Sequence, residues 1–260
     1  MTSAELDSIP TGNTCAGVNR AVIALLLGSG RDFTHAAILD LPCGDGTLVR
    51  TLRRFFPTAQ IEGGDVTEPA GPDTSWFQRV DASRSFRLPG RKRDVVCCVS
   101  GVMEFDNTLQ FFETCRHHLA DDGLLIVTND NVVAVRDRLA YLGFGKTRRF
   151  ELFGAWDRPT WKSIPLPNLL RLLHDAGFTV QSIRYVGTKP KDWLLLPLAL
   201  LLWPGQWLHT RLARGDVPRR ARREMFPFLS LICRHYLVTC VPRDATKSFS
   251  TPPRPHPAHA

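Results

Sequence analysis

The chain has 260 residues, with 33 lysines and arginines against 25 aspartates and glutamates, for a net charge of +8. At 43% hydrophobic and 22% charged residues it can bury a full core, which excludes a disordered or fibrous chain. Seven scattered cysteines, two of them (Cys97, Cys98) inside an apolar run, fit reduced thiols in a cytosolic setting rather than a disulfide framework, and no metal-ligand spacing is present, so no metal is expected.

Residues 1–13 read as a loose N-terminus without the basic start and apolar run of a secretory signal. A single domain is expected over 14–242, followed by a disordered Pro-, Ser- and His-rich tail at 243–260. Val18 to Leu27 is an apolar helix, and Ile38 to Leu41 a short buried strand. Leu48, Leu52, Phe55 and Phe56 have helical spacing, and Pro57 stops that helix. Strands are predicted around Ile61, at Phe77 to Val80, Asp94 to Val99 and Leu124 to Thr128. Leu169, Leu172, Leu173 and Ala176 form a helix face closed by Gly177, before alternating strands at Phe178 to Val186 and His235 to Val241. Strands alternating with helices make the fold class α/β, with a mainly parallel, doubly wound sheet.

The strongest local signal is ILDLPCGDGTLVR, from Ile38 to Arg50: a buried strand, a tight glycine turn, then a helix. Gly44 and Gly46 let the backbone turn sharply and a ligand approach closely. Val49 occupies the third glycine position of a dinucleotide fingerprint, and no lysine follows to make a phosphate cradle. Asp40 and Asp45 would repel a pyrophosphate but suit a ligand carrying an ammonium and a sulfonium. Asp65, about twenty residues on, is placed to accept ribose hydroxyls, and Asp81 ends the next strand. Any one of these could be a turn or cap residue. Several in order at strand ends point to a ligand site on the carboxyl edge of the sheet.

ILDLPCGDG, then Asp65, then Asp81-Ala82, then DVVCCVSGVMEF and LADDGLLIVTNDN follow one another in an order that resembles the class I S-adenosylmethionine-dependent methyltransferases acting on small molecules and lipid-like acceptors, from Ile38 to about Tyr185. The resemblance implies a seven-stranded sheet with its last strand antiparallel and inserted beside the sixth. It implies S-adenosylmethionine as cofactor, S-adenosylhomocysteine as product, and a cofactor site of Asp40, Pro42, Cys43, Gly44, Asp45, Gly46, Asp65, Val66, Asp81, Ala82, Ser100 and Gly101. The departure is Pro42, which stands where the family's first glycine usually sits and removes one backbone N–H.

Methyl transfer from a sulfonium needs an aligned acceptor, and a base only where a hydroxyl must lose its proton. Glu104 is the catalytic candidate, either orienting substrate or acting as base, and it could equally be a helix-start carboxylate. Asn129 and Asn131 in the TNDN run are expected to face the acceptor. Arg136 and Arg149 suggest an acidic acceptor. Methylation is expected at oxygen. The Asn/Asp-Pro-Pro-aromatic motif of base methylation is missing, which disfavours nucleic acid.

Between the last two strands, about 188–233, an insertion carries WLLLPLALLLWPGQWL (Trp193 to Leu208) and then Arg211, Arg214, Arg219, Arg220, Arg222 and Arg223. Interrupted by Pro197 and Pro204, it suits a segment lying on an anionic bilayer surface at the inner face of a membrane, or else an apolar lid or dimer contact. An RNA methyltransferase and a non-catalytic partner protein with the same fold are the alternative readings.

Overall fold

The computed structural model describes residues 3–71, 73–147, 153, 162–214, 217 and 219–243. The expectations for Arg149 and for the tail beyond 243 lie outside the described residues. The strands are β1 (Ala37–Asp40), β2 (Gln60–Asp65), β3 (Phe77–Arg79), β4 (Arg93–Val99), β5 (Leu119–Asp130), β6 (Phe178–Val186) and β7 (His235–Pro242). The helices are α1 (Ser3–Asp7), α2 (Val18–Gly28), α3 (Thr47–Phe55), α4 (Thr108–His118), α5 (Val135–Phe144), α6 (Leu166–Asp175), α7 (Pro190–Trp193), α8 (Leu196–Leu212) and α9 (Arg219–Met225). One seven-stranded sheet runs β3-β2-β1-β4-β5-β7-β6, with β7 antiparallel to both neighbours and the remaining strand pairs parallel. This is the doubly wound order, and the last strand sits where the family resemblance implied.

The central strands are apolar on both faces because helices cover both. Alternation sorts them: Val96, Cys98, Leu125 and Val127 face α4 and α6, where Phe111, Phe112, Leu169 and Leu173 complete one cluster. Val95, Cys97, Leu124 and Ile126 face the other way, against Val22, Ile23, Leu26 and Leu52 of α2 and α3. The cysteines therefore act as small core side chains, and all seven are free thiols.

Between β6 and β7 lie α7, α8, α9 and a 3₁₀ turn at Phe228–Leu231. The expected interruption of the apolar run is milder than its prolines suggested. Pro197 falls in the first turn of α8, where no N–H is needed, and Pro204 lies inside a helix that continues to Leu212. Ala199 is buried against Val135, Leu231 and Ile232, with Trp203 and Phe228 packed edge-on at 5.6 Å. Leu194, Leu200, Leu201 and Leu212 remain exposed. At 17 residues α8 is about 25 Å long, and among the described residues no helix is long and apolar enough to cross a membrane.

A buried ion pair fixes this insertion to the sheet. Arg234 forks onto Asp192, with Nε to Oδ2 at 2.5 Å and Nη2 to Oδ1 at 2.6 Å, and Arg136 reaches the same carboxylate at 3.3 Å. Burial alone would raise the Asp192 carboxyl; the Arg234 fork, the Lys189 N–H and Arg136 outweigh it and hold the group down at about 2. Its contribution is therefore present above the ordinary carboxylate value and fades as pH falls towards 2. Asp192→Ala should cost about 3 kcal/mol by stranding Arg234, read by urea denaturation at pH 7, and the difference from wild type should shrink in acid.

Candidate functional site

The chain builds outward from β1 on one side through β2 and β3, then crosses to build β4 and β5 on the other. At such a reversal the loops leaving the carboxyl ends diverge and leave a crevice. Asp65, Asp40 and Val99 end β2, β1 and β4 side by side. A cavity of about 170 Å³ opens there, lined by the carboxylate residues Asp40, Asp45, Asp65 and Glu104, by the turn from Pro42 to Gly44, and by Ser100 and Gly101.

The turn is held on both sides. Leu41 N–H donates to Cys97 O at 2.9 Å, and Cys43 N–H donates to Gly64 O at 2.9 Å. Gly44 and Gly46 have φ of +52° and +72°. A Cβ on Gly46 would lie 2.4 Å from the Trp76 ring, whereas one on Gly44 would meet only the Asn13 amide at 3.8 Å. Gly46 is thus required by both conformation and packing, and Gly44 by conformation alone, its open side facing the cavity. The Asp65 carboxylate accepts Gly44 N–H at 2.8 Å and Val66 N–H at 2.7 Å. Each oxygen keeps acceptor capacity for a diol.

Asp40 is 2% exposed and its Oδ1 has no hydrogen-bond partner. Burial, then the charges of Asp65 and Asp45, push its carboxyl well above the usual range. A buried acceptor left open beside further carboxylates is the setting a cationic, hydrogen-bond-donating ligand satisfies. An S-adenosyl cofactor, with its ammonium, sulfonium and ribose diol, fits these residues. Burial and the same carboxylates push the Cys43 thiol up, so it is no nucleophile.

Pro42 does more than delete an N–H. Its ring fills the place where a Cβ on Gly101 would sit, 2.3 Å from Cδ. The neighbouring Ser100 has φ of +59°, uncommon for a residue with a side chain. Its N–H donates to Thr128 Oγ1 at 3.1 Å, and its hydroxyl is 2.8 Å from that of Thr14.

Thr14 belongs to a segment that carried no sequence signal. Thr11, Asn13 and Thr14 lie along the cavity, and α1 precedes them within the stretch expected to be loose. Other expected site residues stand apart from the cavity. The Asp81 carboxylate accepts Ser83 N–H at 3.0 Å and meets Arg84 at 3.3 Å, a turn-capping role, and Ala82 is in the core. Asn129 donates to Ile164 O and Tyr236 Oη, and Asn131 to Ser230 O and Cys233 O. Both asparagines are buried ties between β5 and the following chain. Between them, Asp130 turns the other way, into a second cavity of about 440 Å³ that shares Thr11, Asn13, Thr14 and Ser100 with the first.

The family model described as "Methyltransferase domain" matches residues 15–183. The chain belongs to that family. Within it, the fold and motif order are those of the class I S-adenosylmethionine-dependent enzymes. No curated protein matches this methyltransferase in sequence. Among solved structures, it is similar to phosphoethanolamine N-methyltransferase 2 of Haemonchus contortus, in complex with phosphomonomethylethanolamine and S-adenosylhomocysteine, at 15% identity and a TM-score of 0.53 over 90% of this chain and 55% of that one. It spans about half the length of that relative. It also resembles the [4+2]-cyclase SpnF (17% identity, TM-score 0.51, 86% and 81% covered) and an S-adenosylmethionine-dependent methyltransferase from Clostridium acetobutylicum (11%, 0.51, 87% and 91%). At these identities the likeness is one of fold.

Two substitutions separate ligand contact from loop spacing. Asp65→Ala should weaken S-adenosylhomocysteine about 10- to 100-fold in calorimetry with the melting temperature little changed, since a charged hydrogen-bond acceptor is lost from an exposed edge. Gly101→Ala should lower the melting temperature as well, because the new Cβ drives Pro42 and its turn aside.

Proposed function

We propose that this methyltransferase uses S-adenosylmethionine to methylate a small or lipid-like acidic acceptor at oxygen, working at the inner surface of a membrane. The observation that carries the cofactor reading is the acidic crevice at the sheet reversal, with Asp65 on the glycine turn and Asp40 buried with an open oxygen. The bound cofactor supplies a methyl group activated by its sulfonium. Asp65 holds the ribose side, Asp45 supplies negative charge, Asp40 offers its open Oδ1 as a hydrogen-bond partner, and the Gly44–Gly46 turn lets the backbone approach. Thr11, Asn13 and Thr14 line the same cavity and add polar side chains to its wall. Glu104, on that wall too, orients the reactants. The fold alone does not decide the reaction, as the similar cyclase illustrates.

The membrane part of the reading rests on exposed side chains of α8 and its neighbour α5. Trp193, Leu194, Leu201 and Leu212 are exposed on or beside α8, and Tyr141, Leu142 and Phe144 on α5. Arg138 of α5 bonds Gln206 of α8, so these apolar positions belong to packed neighbours. The Arg211 guanidinium stacks on the Trp207 ring at 3.7 Å, pairing an interfacial aromatic with a headgroup-binding cation.

S-adenosylhomocysteine at about 100 times its Kd should raise the melting temperature by roughly 5 °C, and the rise should vanish in Asp65→Ala. No shift in a folded sample would favour the partner-protein reading. Leu201→Asp with Leu212→Asp should abolish co-sedimentation with vesicles containing phosphatidylserine while cofactor binding persists; wild type left in the supernatant at low salt would remove the membrane step.

A further inference from the structure

The two adjoining cavities differ in the charged side chains that line them. The first is walled by Asp40, Asp45, Asp65 and Glu104. The second is walled by Lys189, Arg234 and His235, with Asp130 the one carboxylate on it. They meet at Thr14 and Ser100, whose hydroxyls are 2.8 Å apart. A cationic cofactor in the first cavity and an anionic partner in the second would face each other across that junction, the first against carboxylates and the second against N–H donors.

Topology brings these side chains together. β7 runs antiparallel to β5, so its first residue lies at the carboxyl edge where β5 ends, and Asp130 and His235 are register partners. His235 Nε2 is 3.0 Å from Asp130 Oδ1, and both side chains are buried. Arg234 is braced by Asp192, and the Lys189 N–H donates to the same carboxylate at 2.8 Å. The Lys189 side chain is exposed. Thus the Arg234 guanidinium and the Lys189 backbone are anchored from behind by one buried acid, and His235 is held by Asp130.

We infer that the second cavity is the acceptor pocket and that Lys189, Arg234 and His235 bind an oxyanion of the acceptor, a carboxylate or phosphate. This rests on the methyltransferase reading above and assigns its acceptor site to residues other than Arg136. Arg136 serves the Asp192 brace instead. The groups facing His235 are Asp130 from β5, Cys15 from the N-terminal segment, Lys189 from the loop before α7 and Arg234 beside it. Burial alone would push the imidazole down; the hydrogen bonds to Asp130 and Cys15 outweigh it and hold the imidazole charged above its ordinary value of 6.5. Anion binding should therefore be full at and below pH 6.5 and weaken as pH rises past the imidazole's raised value.

Sulfate is the probe, since its charge is constant over that range. Titrated by calorimetry into the full chain, with and without S-adenosylhomocysteine, it should bind saturably at pH 6.5 and several-fold more weakly once pH has risen past the imidazole's raised value. Lys189→Ala should weaken it about fivefold without unfolding the protein. His235→Asn should flatten the pH dependence, and Arg171→Ala on the far helix α6 should change nothing. Absence of saturable sulfate binding, or binding indifferent to Lys189→Ala and to pH, overturns the inference. Sulfate binding that passes these tests in a chain that ignores S-adenosylhomocysteine sinks the cofactor reading alone. Vesicles of phosphatidylcholine with and without phosphatidic acid separate the sources. Capture that needs phosphatidic acid and Lys189 places the oxyanion on a lipid; sulfate binding without such capture places it on a soluble acid.

Discussion

The ligand-facing edge depends on one contact: the Pro42 ring resting where Gly101 has no side chain. Pro42 leaves β1 and Gly101 leaves β4, the two strands between which the chain reverses direction across the sheet. Their close approach sets the gap between the two loops, and so the position of Ser100 and of the glycine turn. A larger residue at 101 would move the turn, and with it the Gly44 N–H that holds Asp65. The proline and the glycine are therefore one structural unit, although they stand 59 positions apart.

Charge follows the same geometry. Carboxylates collect on β1, β2 and the turn between β1 and α3, whereas the basic side chains arrive from the last third of the chain, through the loop before α7 and the start of β7. The Asp192–Arg234 fork ties the insertion to the sheet and also places Lys189 and Arg234 on the second cavity. One buried pair thus ties down the insertion and shapes the wall of that cavity. The apolar surface of α8 is left over once Ala199, Trp203 and their neighbours have met the small third core.

Much of this was legible along the chain because it is local. The strand-turn-helix from Ile38 to Arg50 contains its own glycines, its acids and its apolar period, and the structure folds it as β1, turn and α3. Apolar runs such as Val95 to Cys98 announce two-sided burial. The lining of the crevice was legible where residues stand at strand ends, as with Asp40 and Asp65. The partners of Asp81, whose carboxylate accepts from the next turn, and of Asn129 and Asn131, whose amides donate to chain up to about a hundred residues away, were not. In the TNDN run a strand's alternation of sides decides which residue meets the cavity, and it selects Asp130.

The sequence by itself determined the fold class, the glycine turn and the acidic character of the crevice at the sheet reversal, since periodicity and turn chemistry act within a dozen residues. Only the tertiary structure decided that Pro42 packs on Gly101, that Thr11, Asn13 and Thr14 line the crevice, and that His235 pairs with Asp130. Those relations cross 59 to 105 positions, and their geometry comes from how an antiparallel last strand returns to the carboxyl edge. No local pattern encodes such a return, because it is the packing of the whole sheet that creates it.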